Sequence, residues 1–203
     1  MILSRLTLTD TPHSRRWVAN PYRVHQTMAS ACQGDSRLLF RIEEENPQRG
    51  RGTPPRILMQ SHVVPDWDHA FARFHVLAGP PESKSFELRL KAKALYRFCL
   101  LANPVVSRDG RRLGLQRESL QRQWLERKLR AAGAEVLSVD ARDNGLQRSQ
   151  KEDGSVQTHQ AVRFEGVLRC VAPEALQEVV CRGIGPAKGY GFGLLSLALI
   201  RAV

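Results

Sequence analysis

The sequence predicts an α+β fold made of two successive units, each with the order strand, helix, strand, strand, helix, strand. Apolar residues alternate with polar ones in residues 2–8 and 162–170, which is typical of half-buried strands. Apolar residues recur three and four positions apart in residues 24–31 and 120–129, which is typical of helices that pack by one face. A stretch rich in glycine and proline at 79–84 separates the two series.

The first unit begins with the strand at 2–8, after which we expect residues 15–17, Arg-Arg-Trp, to form a basic loop that carries an aromatic side chain. Asn20 followed by Pro21 is a good helix start, because asparagine caps helices and proline suits the first helical position. Gly34 is a good helix stop. The apolar residues that form the buried stripe of this helix are Val24, Met28 and Ala31.

Three further strands complete the first unit. A strand at 38–42 leads into a hairpin loop at 43–55, which is rich in glutamate, glycine and proline, and a third strand follows at 57–64. Asp66 begins a short helical turn, and we expect the fourth strand at 74–77.

The second unit repeats this order of elements. A strand at 96–102 is followed by a basic loop and then by a helix over 120–133, which ends at a glycine. A strand at 136–141 leads to a polar segment at 142–158, which we expect to be the exposed tip of a long hairpin. The return strand at 162–170 shows the clearest alternation in the chain, and a helix and a last strand follow it.

Two such units are two tandem ferredoxin-like (RRM-like, βαββαβ) domains. We expect an N-terminal domain at 1–79, a linker at 80–85 and a C-terminal domain at 86–203. Proteins that read single-stranded RNA share this architecture, so the fold by itself favours an RNA-related function.

The charge of the chain favours a polyanionic partner. The 203 residues include 31 lysines and arginines against 20 acidic residues, which gives a formal charge of +11 and a pI of about 10.3. Most of the excess is arginine, which suits bidentate phosphate contacts and stacking on bases. There is no apolar run of about 18 residues and no signal-peptide layout at the N-terminus. We therefore expect a cytoplasmic protein that binds nucleic acid and no membrane.

The cysteines and histidines do not predict a metal site. The four cysteines (Cys32, Cys99, Cys170 and Cys181) are far apart, which is typical of reduced, mostly buried thiols. The six histidines show no ligand spacing such as His-Glu-x-x-His. We therefore expect neither a metal nor another cofactor.

A glycine-rich stretch at 182–200 lies between the last predicted helix and the last strand. A Walker loop needs Gly-Lys-Ser/Thr at the start of a helix, and a dinucleotide fingerprint needs a strand before its glycines and a helix after them. Neither order occurs here. The glycines of the stretch are Gly183, Gly185, Gly189, Gly191 and Gly193.

Tyr22 and His25 are the pair of residues with a catalytic logic. They are three positions apart, so they lie side by side on a flank of the first helix. RNA carries its own nucleophile, the 2′-hydroxyl, so a nuclease needs no metal if it aligns that oxygen and moves protons. A histidine that titrates near 6.5 is suited to that proton transfer, which contributes about a hundred- to ten-thousand-fold.

The glycine-rich end, Gly-Ile-Gly-Pro-Ala-Lys-Gly-Tyr-Gly-Phe-Gly-Leu-Leu-Ser-Leu, closely resembles the C-terminal motif of the CRISPR-associated repeat-processing endoribonucleases, specifically the CasE subfamily of the Cascade complex (type I-E). Family members often have Ala-Phe where this chain has Gly189-Tyr190. The resemblance extends along the whole chain. It includes the start Met-Ile-Leu-Ser-Arg-Leu, the Tyr-x-x-His helix, Gln60-Ser61 to Asp66-Trp67, Ala102-Asn103-Pro104 and Val162 to Leu168.

The resemblance implies an endoribonuclease that cleaves CRISPR repeat hairpins in precursor crRNA without a metal. His25 would be the general acid/base, and Tyr22 would position the 2′-hydroxyl or the phosphate. The products would be a 2′,3′-cyclic phosphate and a 5′-hydroxyl. The protein would be monomeric when free, would retain the mature crRNA stem-loop, and would join the other Cascade subunits.

Basic residues in several segments are candidates for RNA binding. By resemblance, the hairpin at 142–158 enters the groove of the RNA stem-loop; the alternative is a solvated hairpin tip. The arginine-rich segment at 108–130 would contact phosphates, or it could be a solvated helix face. Lys188 and the glycine-loop amides could meet a phosphate, or the loop could only pack beside the first helix. The candidate residues are Arg23, Arg111, Arg112, Arg142, Arg148, Lys151 and Lys188.

Two other functions remain open at the level of sequence. One is a non-catalytic double RRM-like module that binds RNA or assists assembly, for which RNA would stay intact and His25 would not matter. The other is a basic DNA-binding protein, which competition between hairpin RNA and duplex DNA would distinguish.

Overall fold

The structure, a computed structural model, describes residues 1–33, 38–43 and 54–201. The predicted helix stop at Gly34 and most of the loop predicted at 43–55 lie outside the described residues. The chain forms two compact units, each with its own apolar core. The first comprises residues 1–87, 148–157 and 189–191, and the second comprises 88–147, 158–188 and 192–203.

The first unit contains a four-stranded antiparallel sheet with the order β4-β1-β3-β2. Strand β1 lies between two partners, since Ile2 is opposite Ser61 of β3 and opposite Ser85 of β4. The last strand therefore lies beside the first, as in a ferredoxin-like domain. The elements are β1 (Ile2–Thr7), α1 (Pro12–Val18), α2 (Pro21–Ala31), β2 (Leu39–Glu43), β3 (Arg56–Ser61), α3 (Trp67–Phe71) and β4 (Glu82–Ser85).

The second unit repeats the arrangement, with the sheet order β10-β5-β9-β8 and a small hairpin, β6-β7, inserted after its first strand. The predicted fold class, two tandem ferredoxin-like domains, is confirmed. The elements are β5 (Leu95–Ala102), β6 (Val105–Arg108), β7 (Arg111–Gly114), α4 (Glu118–Ala131), β8 (Ala134–Gln150), β9 (Val156–Cys170), α5 (Pro173–Arg182) and β10 (Leu195–Leu199).

Residues 15–17 form part of helix α1 rather than the predicted basic loop. Thr11 caps this helix, because its side-chain oxygen accepts a hydrogen bond of 3.2 Å from the backbone N–H of Ser14. Pro12 occupies the first turn, and Trp17 is buried in the core of the first unit. Arg15 and Arg16 consequently project from an ordered helix.

The fourth strand of the first sheet is at Glu82–Ser85 rather than at 74–77. Within 74–77, Leu77 forms an isolated antiparallel β-bridge with Leu8. All four residues of β4 are exposed, and they pair with β1 through the backbone. The segment predicted as a linker, 80–85, therefore contains a strand. The division of the chain near residue 80 stays a prediction.

The hairpin of the second unit is longer than predicted. Strand β8 extends to Gln150 and β9 begins at Val156, so the turn is at 151–155 and not over 142–158. Arg142 and Arg148 are consequently strand residues. The end of the hairpin, residues 148–157, belongs to the first unit and makes one hydrogen bond to helix α2 and one to its N-cap residue.

Candidate active site

Helix α2 positions the predicted pair of catalytic residues. It begins as predicted, with Asn20 at the N-cap and Pro21 in the first turn. The predicted stripe of Val24, Met28 and Ala31 is buried in the core of the first unit. Tyr22 and His25 lie beside that stripe and are both half-buried, so the core fixes the helix while their side chains stay within reach of a ligand.

His25 lies between a core ring and a backbone turn. Its ring is nearly parallel to that of Phe40, with 6.1 Å between centroids and 13° between planes. A Cβ atom added to Gly189 would lie 3.4 Å from Cδ2 and Nε2 of His25. An added Cβ at that distance would make an ordinary van der Waals contact, so the backbone of the glycine-rich loop lies directly beside the imidazole.

The two ring nitrogens of His25 have different environments. Nδ1 is buried and has no hydrogen-bond partner among the described residues. Nε2, on the side of Gly189, is therefore the nitrogen that can exchange a proton with a substrate. Burial lowers the pKa of His25 below its ordinary value of 6.5, because desolvation disfavours the imidazolium. Burial therefore favours the neutral imidazole, which is the form that a general base needs.

Tyr22 faces a second phenol from the glycine-rich loop. The rings of Tyr22 and Tyr190 have centroids 6.2 Å apart and planes 31° apart. Tyr190 ends a short 3-10 turn, Lys188–Tyr190, which also contains Gly189. One turn of the loop therefore brings a backbone against the imidazole and an aromatic ring against Tyr22.

Positive backbone angles shape the glycine-rich loop. Gly191 has φ +87°, and a Cβ atom there would lie 3.2 Å from Cε2 of Phe40. Phe40 thus contacts both His25 and the loop, and it joins the two parts of the site. The other loop glycines with positive φ are Gly183, Gly185 and Gly193.

The end of the β8-β9 hairpin contacts the other side of α2. The side-chain amide of Asn20 donates a 2.9 Å hydrogen bond to the backbone carbonyl of Gln150. The Gln26 amide donates a 2.7 Å hydrogen bond to Oε1 of Glu152. Asn20 makes no side-chain cap bond to its own helix, so its side chain serves the hairpin instead.

The predicted RNA-binding residues lie on several elements. Arg148 and Lys151 belong to the hairpin end in the first unit, whereas Arg142 lies on the part of β8 in the second unit. Arg111 and Arg112 are exposed on β7. Lys188 is half-buried, and burial together with the nearby Arg182 lowers its pKa. Their roles in binding stay predictions.

Arg23 does not share a face with the predicted catalytic residue His25. It is two residues from His25, which corresponds to about 200° around a helix. Its exposed side chain lines a pocket with Gln26 and Glu152, on the side of α2 away from the imidazole.

Sequence reasoning missed Phe40 and Tyr190 as parts of this site, and it missed the contact of the hairpin end with α2. Phe40 belongs to an alternating strand pattern that indicates only burial. Tyr190 lies within the glycine-rich motif. The position of this aromatic residue in the motif could have been used to predict its contact with the first predicted helix. The contact of residues 148–157 with α2 joins segments about 130 positions apart, and no local pattern reports it.

Among residues 1–33, 38–43 and 54–201, no three histidine, cysteine, aspartate or glutamate side chains are grouped as metal ligands would be. In the same part of the chain, no helix is both long enough and apolar enough to span a membrane.

Comparisons with known proteins show the family to which this chain belongs. The family described as "CRISPR associated protein" matches residues 1–198. The CRISPR-associated endoribonuclease Cse3 of Thermus thermophilus is 36% identical over 98% of this chain and 100% of its own length. The CRISPR system Cascade subunit CasE of Escherichia coli is 30% identical over 91% of this chain and 95% of its own length.

A solved structure of the endoribonuclease Cse3 bound to a 19-nucleotide RNA superposes with a TM-score of 0.83. The two chains are 34% identical, and the match covers 98% of this chain and 100% of the other. The similarity therefore includes both ferredoxin-like domains and the glycine-rich loop. This chain belongs to the family of CRISPR-associated proteins, in the CasE (Cse3) subfamily.

Proposed function

We propose that the protein is an endoribonuclease that cleaves the repeat hairpins of CRISPR transcripts. The observation that carries this proposal is the half-buried His25 imidazole with a lowered pKa, placed on the flank of α2 against Gly189 and beside Tyr22. The names of the relatives, an endoribonuclease and a Cascade subunit, support RNA cleavage as the activity.

The reaction uses the 2′-hydroxyl of the RNA as the nucleophile. Neutral His25 accepts the hydroxyl proton at Nε2 as the oxygen attacks the adjacent phosphorus. The bond from phosphorus to the 5′-oxygen of the next nucleotide then breaks, and that oxygen takes up a proton. The products are a 2′,3′-cyclic phosphate and a 5′-hydroxyl, and no metal is needed for this sequence of steps.

Tyr22 orients the reacting groups rather than moving the proton. Its phenol lies one helical turn before His25, and Tyr190 contacts its ring at 6.2 Å between centroids. A phenol held between a helix and a loop loses little freedom when it donates a hydrogen bond to the 2′-hydroxyl or to the phosphate. Positioning of this kind accelerates a reaction whose nucleophile and electrophile are already linked.

Basic residues of both units hold the RNA. In the first unit, Arg148 and Lys151 stand on the hairpin end that contacts α2, so this end is positioned next to the helix that carries His25. Arg142, on the same hairpin, enters the groove of the RNA stem-loop with them, whereas Arg111 and Arg112 contact backbone phosphates. The many phosphate contacts make the product slow to leave, so the mature crRNA stays bound and the complex joins Cascade.

The test is to incubate the protein with its repeat RNA in excess EDTA and to map both new ends. We expect one cut at the base of the hairpin, a cyclic phosphate that acid opens, and a 5′-hydroxyl that polynucleotide kinase labels. A 2′-deoxy substitution at the cleaved nucleotide must block the cut. RNA that stays intact after long incubation would instead assign the protein as a non-catalytic RNA-binding module.

A further inference from the structure

A pocket of about 420 Å³ lies in the first unit, on the side of α2 away from His25. Helix α1 contributes Arg16 and Trp17, helix α2 contributes Arg23 and Gln26, and the segment after α3 contributes Phe74. The volume is within the range of small-molecule sites, which starts at about 300 Å³.

Cations line this pocket. Arg16 and Arg23 are exposed, and neither forms an ion pair with a carboxylate among the residues that the structure describes. The other ionisable groups in the lining are His13 and Glu152, and Oε1 of Glu152 accepts the hydrogen bond from Gln26. The positive charges of the two arginines therefore outnumber the negative charge of the single carboxylate, so the lining favours an anion.

Aromatic side chains also line the pocket, and this separates it from a simple anion site. Phe74 is 39% exposed, which is unusual for so large an apolar side chain, and Trp17 forms part of the wall from the buried core. A carboxylate from an acidic protein segment would pair with the arginines but would leave the phenyl ring and most of the volume unused. A nucleotide would use both, because its phosphate meets guanidinium groups and its base stacks on an aromatic face.

We propose that this pocket binds one nucleotide of the single-stranded RNA that flanks the repeat hairpin. The phosphate lies against Arg16 and Arg23, and the base packs on Phe74. This inference rests on the proposed function. The pocket and His25 are on opposite sides of one helix, and a helix with its side chains is about 10 Å across. A stacked strand with a rise of about 3.4 Å per nucleotide would cover that distance in about three nucleotides.

The experiment compares the affinities of two uncleavable RNAs, both with 2′-deoxyribose at the cleaved position. One is the repeat stem-loop alone, and the other carries ten single-stranded nucleotides on each side. For the unaltered protein we expect the flanked RNA to bind about tenfold more tightly, which is the size of effect that one stacked base and its phosphate supply. In Arg16→Ala/Arg23→Ala and in Phe74→Ala we expect this ratio to fall to about one.

The matched control is Lys84→Ala/Lys91→Ala, which removes two exposed cations outside the pocket lining and must keep the tenfold ratio. Equal affinities of the unaltered protein for the two RNAs, or an unchanged ratio in the pocket variants, would overturn the proposal. Binding of a decaglutamate peptide that the double arginine variant loses, together with a ratio of one for RNA, would assign the pocket to an acidic protein segment instead. His25 is unaltered and the RNAs cannot be cut, so this ratio is read independently of whether the protein is a nuclease.

Discussion

The imidazole of His25 lies nearly parallel to the fully buried ring of Phe40, at 6.1 Å between centroids and 13° between planes. Phe40 also meets the glycine-rich loop at Gly191. One core side chain therefore sets the orientation of the proposed base and the approach of the loop that faces it. We therefore expect catalysis at the proposed site to depend on Phe40, although this residue need not touch the RNA.

Replacing Phe40 by leucine tests this dependence. We expect Phe40→Leu to lower the free energy of unfolding by about 1 to 2 kcal/mol, because it removes part of a buried ring. The rate of single-turnover cleavage should fall at least tenfold, while RNA affinity stays within about twofold. The control is Phe71→Leu, in the same core but packed edge-to-face against Trp17 and at a tilt against Trp67. An equal fall in the rate of both variants would assign the effect to stability alone.

The pH dependence of cleavage follows from the burial of His25. Burial lowers the pKa of His25 from 6.5, and a general base works in its neutral form. The single-turnover rate should therefore rise as the pH increases, with a midpoint below 6.5, and should then reach a plateau. Burial also lowers the pKa of His159, so His159→Gln serves as the control and should keep the same midpoint. A rate that falls with pH across this range would assign His25 the role of an acid.

Two glycines of the loop should respond differently to alanine. Gly189 needs only space, and an alanine Cβ at 3.4 Å from the His25 ring is an ordinary contact, so Gly189→Ala should keep most of the activity. Gly191 has φ +87° and less room, since its Cβ would lie 3.2 Å from Phe40. Gly191→Ala should lower the free energy of unfolding by about 1 to 2 kcal/mol. Thermal unfolding and cleavage rates should show that Gly191→Ala is more damaging than Gly189→Ala. A larger loss of stability or of cleavage rate in Gly189→Ala would contradict this prediction.

Asn20 should act through the hairpin and not through its helix. Its side chain donates to the carbonyl of Gln150 and makes no cap bond, so Asn20→Ser should weaken the docking of residues 148–157 by about 1 kcal/mol. Hydrogen exchange of the amides in 148–157 should become faster in this variant. Thr11→Ala removes a true helix cap on α1 and should leave exchange in 148–157 unchanged. Unchanged exchange in Asn20→Ser would show that other contacts hold the hairpin end.

The parts of the fold that local patterns encode were predictable. Asn20-Pro21 begins α2 because capping and proline geometry depend on adjacent residues. Gly133 follows α4 with φ +71°, as its predicted role as a helix stop requires. The order of elements in both sheets also followed from the alternation of apolar residues, apart from the fourth strand of the first sheet.

The remaining parts depend on contacts that have no local signal. Strand β4 reads Glu-Ser-Lys-Ser and is exposed throughout, so only its backbone pairing with β1 makes it a strand. Helix α1 has seven residues, too few for a clear apolar period, although Thr11-Pro12 was a usable start signal. The outer half of β8 is polar on both faces, which is why it resembled a loop in the sequence.

The role of His25 is tested by single-turnover cleavage of repeat RNA in EDTA by His25→Ala, with RNA affinity measured on the same preparation. We expect a loss of cleavage of at least a hundredfold with affinity within about threefold of the unaltered protein, since a general base supplies about a hundred- to ten-thousand-fold. His75→Ala, at an exposed histidine of the same unit, is the control and should cleave normally. A His25→Ala protein that cleaves at the unaltered rate would show that His25 is not the general base.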